Sequence, residues 1–86
     1  MFVILSYDVE QKRGKKALKT CRKYLTHVHN SVFEGEITEA KLTRLKKELA
    51  GIINTDNDSV RIYRLAAPRF VELDEIGRCP NFSKII

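Results

Sequence analysis

Apolar residues recur along the chain with more than one period, and each change of period marks an element. Phe2-Val-Ile-Leu-Ser-Tyr-Asp8 opens with an unbroken apolar, β-rich run, which predicts a central strand covered by helices on at least one face. Asp8 then stands at its C-terminal end. From Arg13 to Leu25 the period turns helical: at about 100° per residue, Ala17, Leu18, Cys21, Tyr24 and Leu25 fall within one apolar arc. Thr26 to Ile37 is β-like, with His27, Val28, His29, Val32, Phe33 and Ile37, and forms two short strands or one bent one. No Asn-Gly or Gly-Gly turn fixes where it reverses.

Thr38 is placed to cap a second helix, with Glu39 in its first turn. Leu42, Leu45, Leu49 and Ile52 or Ile53 make its buried stripe, and Gly51 weakens its end. Asn54 to Asp58 is a loop, Asp56-Asn57-Asp58 a turn without the Gly and distal Glu of a calcium loop. Ser59 to Leu65 follows as a strand whose Val60 and Ile62 share a face, and Phe70 to Ile76 alternates well enough for another. The order βαββαβ predicts an α+β, ferredoxin-like sandwich over residues 1–65, two helices on one face of an antiparallel sheet. The extra strand, 66–76, has no obvious slot in that sheet. An exposed edge invites such a segment from a second copy, so a homodimer with exchanged C-terminal strands is expected, with 77–86 as a tail.

Eighty-six residues suit one domain. The longest apolar run, Met1 to Leu5, is too short to cross a bilayer and lacks the flanks of a secretory signal, so a cytoplasmic protein without membrane contact is expected. Cys21 and Cys79 form no C-x-x-C, which excludes zinc-ribbon and thioredoxin chemistry. No phosphate-cradling glycine loop and no G-x-S-x-G is present, so nucleotide hydrolysis, dinucleotide binding and serine-esterase chemistry fall away.

The net charge of +5 lies in the first third, where seven basic residues face only Asp8 and Glu10; residues 31–86 balance at nine of each sign. Lys12, Lys15, Lys16, Lys19, Arg22 and Lys23 fall on the arc opposite the apolar one. Such a cationic helix face suits a phosphate backbone, because clustered charge releases condensed counterions. Asp8 is the sharpest catalytic candidate. One carboxylate is a poor Mg²⁺ site alone, although this metal commonly takes one or two and keeps several waters, and a two-fold axis supplies the second. His27 and His29, two apart on a strand, share a face but lack a third ligand at zinc spacing.

Val3-Ile-Leu-Ser-Tyr7-Asp8-Val9, the basic helix after it, Ser31-Val-Phe-Glu-Gly-Glu-Ile-Thr38 and Asp58-Ser-Val-Arg-Ile-Tyr63 together resemble the small CRISPR-associated protein two family, in matching order across about 65 residues. The resemblance implies a ferredoxin-like homodimer whose C-terminal strand crosses between protomers, a partner of the CRISPR integrase in spacer acquisition. It implies a Mg²⁺-dependent endonuclease, with Mn²⁺ as a substitute, acting on single-stranded RNA or duplex DNA. The alternative it carries is a non-catalytic scaffold bridging two integrase dimers on DNA. In residues, it places the metal on Asp8 of both chains and puts Tyr7 and Phe33 at the shared site. Arg13 and Lys15 or Lys16 become phosphate contacts, and His27 stands where some relatives carry an arginine. An RNA-binding module with stacking aromatics fits least, because the RNP motif is absent.

Overall fold

A computed structural model describes residues 1–67 and 70–77, with the backbone alone at 66, 67 and 70–73. The elements run β1 (Phe2–Asp8), α1 (Gln11–Arg22), β2 (Thr26–His29), β3 (Val32–Glu36), α2 (Glu39–Ile52), β4 (Ser59–Ala67) and β5 (Phe70–Gly77). They form one five-stranded sheet in the order β2-β3-β1-β4-β5, with antiparallel neighbours throughout. The first four strands have the ferredoxin-like arrangement, in which β3 separates the two strands joined by α1.

Alternation along the central strand builds the core. Val3 and Leu5 are fully buried, and their neighbours Phe33 on β3 and Ile62 on β4 share that face. Leu42, Leu45 and Leu49 close it from α2, whereas α1 contributes the small residues Ala17 and Cys21. Small residues let α1 lie close to the sheet and leave its long side chains for solvent. Thr38 caps α2 by accepting the Lys41 N–H at 3.2 Å, as its sequence position implies.

Boundaries depart from expectation where local chemistry decides them. α1 starts at Gln11 and ends at Arg22, not Leu25; Tyr24 N–H and Leu25 N–H both donate to the Cys21 carbonyl, which turns the chain while keeping Leu25 buried. The 26–37 segment resolves into two strands reversing at Asn30, whose φ of +46° is a left-handed conformation that asparagine tolerates. A bulge between His27 and His29 corrects the expectation that both face one way: His27 pairs with Phe33 and His29 with Val32, neighbours on opposite sides of β3.

The fifth strand also finds a place. β5 pairs with the outer edge of β4 from Ser59↔Gly77 to Ala67↔Phe70, so within one chain the sheet has the slot the sequence reading did not find. Antiparallel neighbours close in sequence need no crossover, and the β4 edge is otherwise open. The expected tail beyond Gly77, with Cys79, lies outside the described residues.

Asp8, Ser59 and Gly77 stand in register across β1, β4 and β5. Gly77 has a φ of +89°, and a Cβ there would lie 2.0 Å from the Asp58 carbonyl oxygen. Gly77→Ala is expected to lower stability by about 2 kcal/mol through backbone strain and displacement of β5, read as a lower urea midpoint.

Candidate functional site

Asp8 is the exposed last residue of β1. On one side it pairs with Ser59 of β4; on the other, pairing with β3 ends two residues earlier, at Ser6↔Val32. Because Val3, Leu5 and Tyr7 take the helix side, Phe2, Ile4, Ser6 and Asp8 project from the open face of the sheet. Ile4↔Tyr63 and Phe2↔Leu65 are direct neighbours there, and all four side chains are half-buried. The carboxylate thus stands at one end of an apolar patch that no described element covers.

The same alternation separates Asp8 from the aromatic residues expected beside it. Tyr7 and Phe33 stack on the helix side with ring centroids 5.8 Å apart, and His27 stacks on Phe33 at 4.6 Å. Phe33 has no exposed surface. Expected in the catalytic set, it packs within the core of the single chain beside its register partner Leu5. Tyr7 is half-buried, and burial is the main reason its hydroxyl is held above the ordinary tyrosine pKa. His27 is tethered as well, its Nε2–H donating to the Asn30 carbonyl at 2.6 Å; a carbonyl can only accept, which fixes that tautomer.

Arg13, expected on phosphate, is engaged inside the protein. Its Nε donates to Asp58 Oδ2 at 2.6 Å and its Nη2 to Oδ1 at 3.1 Å. The Glu10 backbone N–H adds a bond to Oδ1 at 3.0 Å and the Asn54 N–H one to Oδ2 at 2.9 Å. Asp58 is completely buried, and this set meets the acceptor capacity of an ionised carboxylate without water. The Arg13 fork, opposed by burial and assisted by the two amides, holds the Asp58 pKa well below the usual aspartate range. Reading 54–58 as a plain turn missed this, although an arginine near the start of one element and an aspartate just before a strand are visible in the sequence. Their contact spans 45 residues and has no local signature.

The cationic face survives in reduced form. Lys12 lies 3.7 Å from Glu10, and Lys23 is bonded to Glu48, which also accepts from the Tyr24 hydroxyl. Lys15, Lys16, Lys19 and Arg22 are exposed and form no ion pair among the described residues. Between the helices, Lys16, Lys19, Thr20, Lys23 and Ile52 line a shallow cleft of about 450 Å³. This surface lies on the helical side of the molecule, away from Asp8.

Among the described residues no three His, Cys, Asp or Glu side chains gather as a metal site. One exposed carboxylate suits a hydrated Mg²⁺ only in part, since Asp8 alone supplies a single protein ligand.

The family model for CRISPR associated protein Cas2 matches residues 1–72. The chain belongs to this family. A "CRISPR-associated endoribonuclease Cas2" of Dictyoglomus turgidum is 49% identical over 77 residues, covering 90% of this chain and 88% of the relative. A "CRISPR-associated endonuclease Cas2" of Halalkalibacterium halodurans is 39% identical, covering 94% of this chain and 91% of the relative. The crystal structure of Streptococcus pyogenes Cas2 superposes with a TM-score of 0.71 at 38% identity, over 77% of this chain and 87% of that one. The Cas2 match includes β1 with Asp8, the Arg13–Asp58 contact and all of β4. No helix among the described residues is long and apolar enough to cross a membrane.

A depressed carboxylate pKa ties this corner to acid stability. The stabilisation from Asp58 is complete above the unfolded aspartate value of about 3.9 and is lost as pH falls toward the lower folded value. Urea titrations from pH 7 down to pH 2 are expected to give a steep decline below about pH 4 for the wild type. Asp58→Asn should be less stable at pH 7 and flatter below pH 4.

Proposed function

We propose that this chain is a metal-dependent endonuclease of CRISPR spacer acquisition, active as a homodimer on phosphodiester bonds of single-stranded RNA, duplex DNA or both. The observation that carries the reading is the exposed Asp8 carboxylate at the tip of the central strand, at one end of an apolar face that no described element covers. The names of the relatives, endoribonuclease and endonuclease, support it.

A second copy is the occupant that fits the open face. Phe2, Ile4, Tyr63 and Leu65 would bury against their counterparts, and a two-fold axis near Asp8 would bring both carboxylates to one ion. The β4 edge that takes β5 in the single chain would accept the partner's β5 in the same register, which makes strand exchange the route to a closed pair. Mg²⁺, or Mn²⁺ in its place, would supply Lewis-acid charge at the phosphodiester and acidify the attacking water. The two Asp8 carboxylates would hold the ion, the apolar face would exclude bulk water, and Lys12 and Lys15 at the start of α1 would hold the flanking phosphates. The CRISPR integrase is the protein partner this reading entails.

One observation favours a second reading, a scaffold that bridges integrase dimers without cutting. Lys16, Lys19 and Arg22, which form no ion pair among the described residues, lie farther along α1 on the helical side of the sheet, so a duplex gripped there lies away from the carboxylate.

Labelled single-stranded RNA and duplex DNA, incubated with Mg²⁺, Mn²⁺ or chelator, separate the two. Asp8→Ala and chelator are each expected to reduce cleavage at least about 100-fold while duplex binding persists. Equal cleavage by wild type and Asp8→Ala would overturn the nuclease reading. Duplex affinity is expected to fall steeply with salt, and Lys16→Ala with Lys19→Ala should reduce the log–log salt slope by about 2.

A further inference from the structure

We infer that Asp58, clamped by Arg13, is the positioning residue of the Asp8 site: it fixes the backbone leaving β1 and thereby the direction of the Asp8 carboxylate. This deepens the proposed function and rests on its choice of Asp8.

The need for such a device follows from where Asp8 stands. Beyond Ser6 the register with β3 ends, leaving on that side one bond from the Tyr7 N–H to the Ser31 carbonyl at 3.1 Å, and Asp8 keeps a register partner only in Ser59. A strand end held on one side frays, and an exposed carboxylate there samples many directions. Two residues on, the Glu10 N–H donates to Asp58 Oδ1 at 3.0 Å, the sole long-range hydrogen bond made by the backbone of residues 8–10 among the described residues beyond the β1–β4 ladder. Asp58 itself immediately precedes Ser59, so one residue's backbone leads into Asp8's register neighbour while its side chain holds the segment after Asp8. The loop of Asp8, Val9 and Glu10 is pinned at both ends by Asp58 and Ser59.

Arg13 sets the orientation of the clamp. Its planar fork meets both Asp58 oxygens, so the carboxylate cannot rotate without breaking one of two charge-assisted bonds, and Glu10 stays aligned with Oδ1. Lysine keeps the charge but has a single ammonium, which meets one oxygen and leaves the other with its backbone amide alone. Asn54 N–H on Oδ2 anchors the far side of the same carboxylate to the end of α2. An arginine in the first turn of α1 therefore serves geometry at the strand end and not phosphate binding.

Arg13→Lys is the informative variant, with Asp58→Asn beside it and Asp8→Ala as reference, all as full-length protein. Amide exchange at Glu10 and the NMR position of the Asp8 amide are followed without metal, and cleavage kinetics with Mg²⁺. For Arg13→Lys the expected result is a thermal midpoint close to wild type, a shifted Asp8 signal, Glu10 exchange at least about 10-fold faster, and kcat about 10- to 100-fold lower with KM within twofold. In the Asp8→Ala background, Arg13→Lys should then change residual cleavage no further. Unchanged Glu10 and Asp8 signals in both clamp variants would overturn the inference, as would a kcat that falls only with the folded fraction. Cleavage insensitive to Asp8→Ala would instead defeat the proposed function, and the metal-free signals would still decide the clamp.

Discussion

Successive side chains of a strand point to opposite faces, and on β1 that rule divides the molecule. Leu5 and Tyr7 go to the helices; Ser6 and Asp8 go to the open side. Everything apolar that folding must hide in one copy is gathered on the first side, from Val3 across to Phe33, Ile62 and the α2 leucines. The second side keeps an apolar patch ending in a carboxylate. Adjacent residues in the sequence, Tyr7 and Asp8, therefore belong to different tasks: one is a floor for the core, the other a group offered outward. A family motif that sets them side by side conceals this division, because adjacency along a strand is opposition in space.

Much of the fold was legible because its signals are local. The apolar run of β1, the helical spacing of Ala17 and Cys21, the Leu42–Leu45–Leu49 stripe and the Thr38 cap each lie within a few residues, and all are found in place. The reversal at Asn30 was hidden because it uses an asparagine in the left-handed region without a glycine after it. The place of β5 was hidden because strand neighbours follow from edges, and edges exist only once the sheet is assembled.

The candidate site divides along the same line. Asp8 was legible as a carboxylate at a strand end, and the exposed lysines of α1 as one cationic arc. The Asp58 contact of Arg13 was hidden because a charge count cannot distinguish a cation facing water from one paired with a residue 45 positions away. Asp58 was passed over because its neighbours in sequence, Asp56 and Asn57, make an ordinary polar turn. What distinguishes it is the lack of water around it, and burial is a property of the assembled structure.

The two borders of the sheet differ in kind. β2 has four residues and is bent by its bulge, so its outward N–H and C=O groups do not line up as a template for another strand. The border formed by β4 and β5 is longer, and its register runs unbroken from Ser59↔Gly77 to Leu65↔Val71 before one shift between Leu65 and Ala67. Growth by strand addition is thus blunt on one side and permitted on the other, and an object with a single permissive border can join one neighbour but cannot propagate a filament. The irregularity at His27 and His29 is in this sense a stop to strand addition at the β2 border.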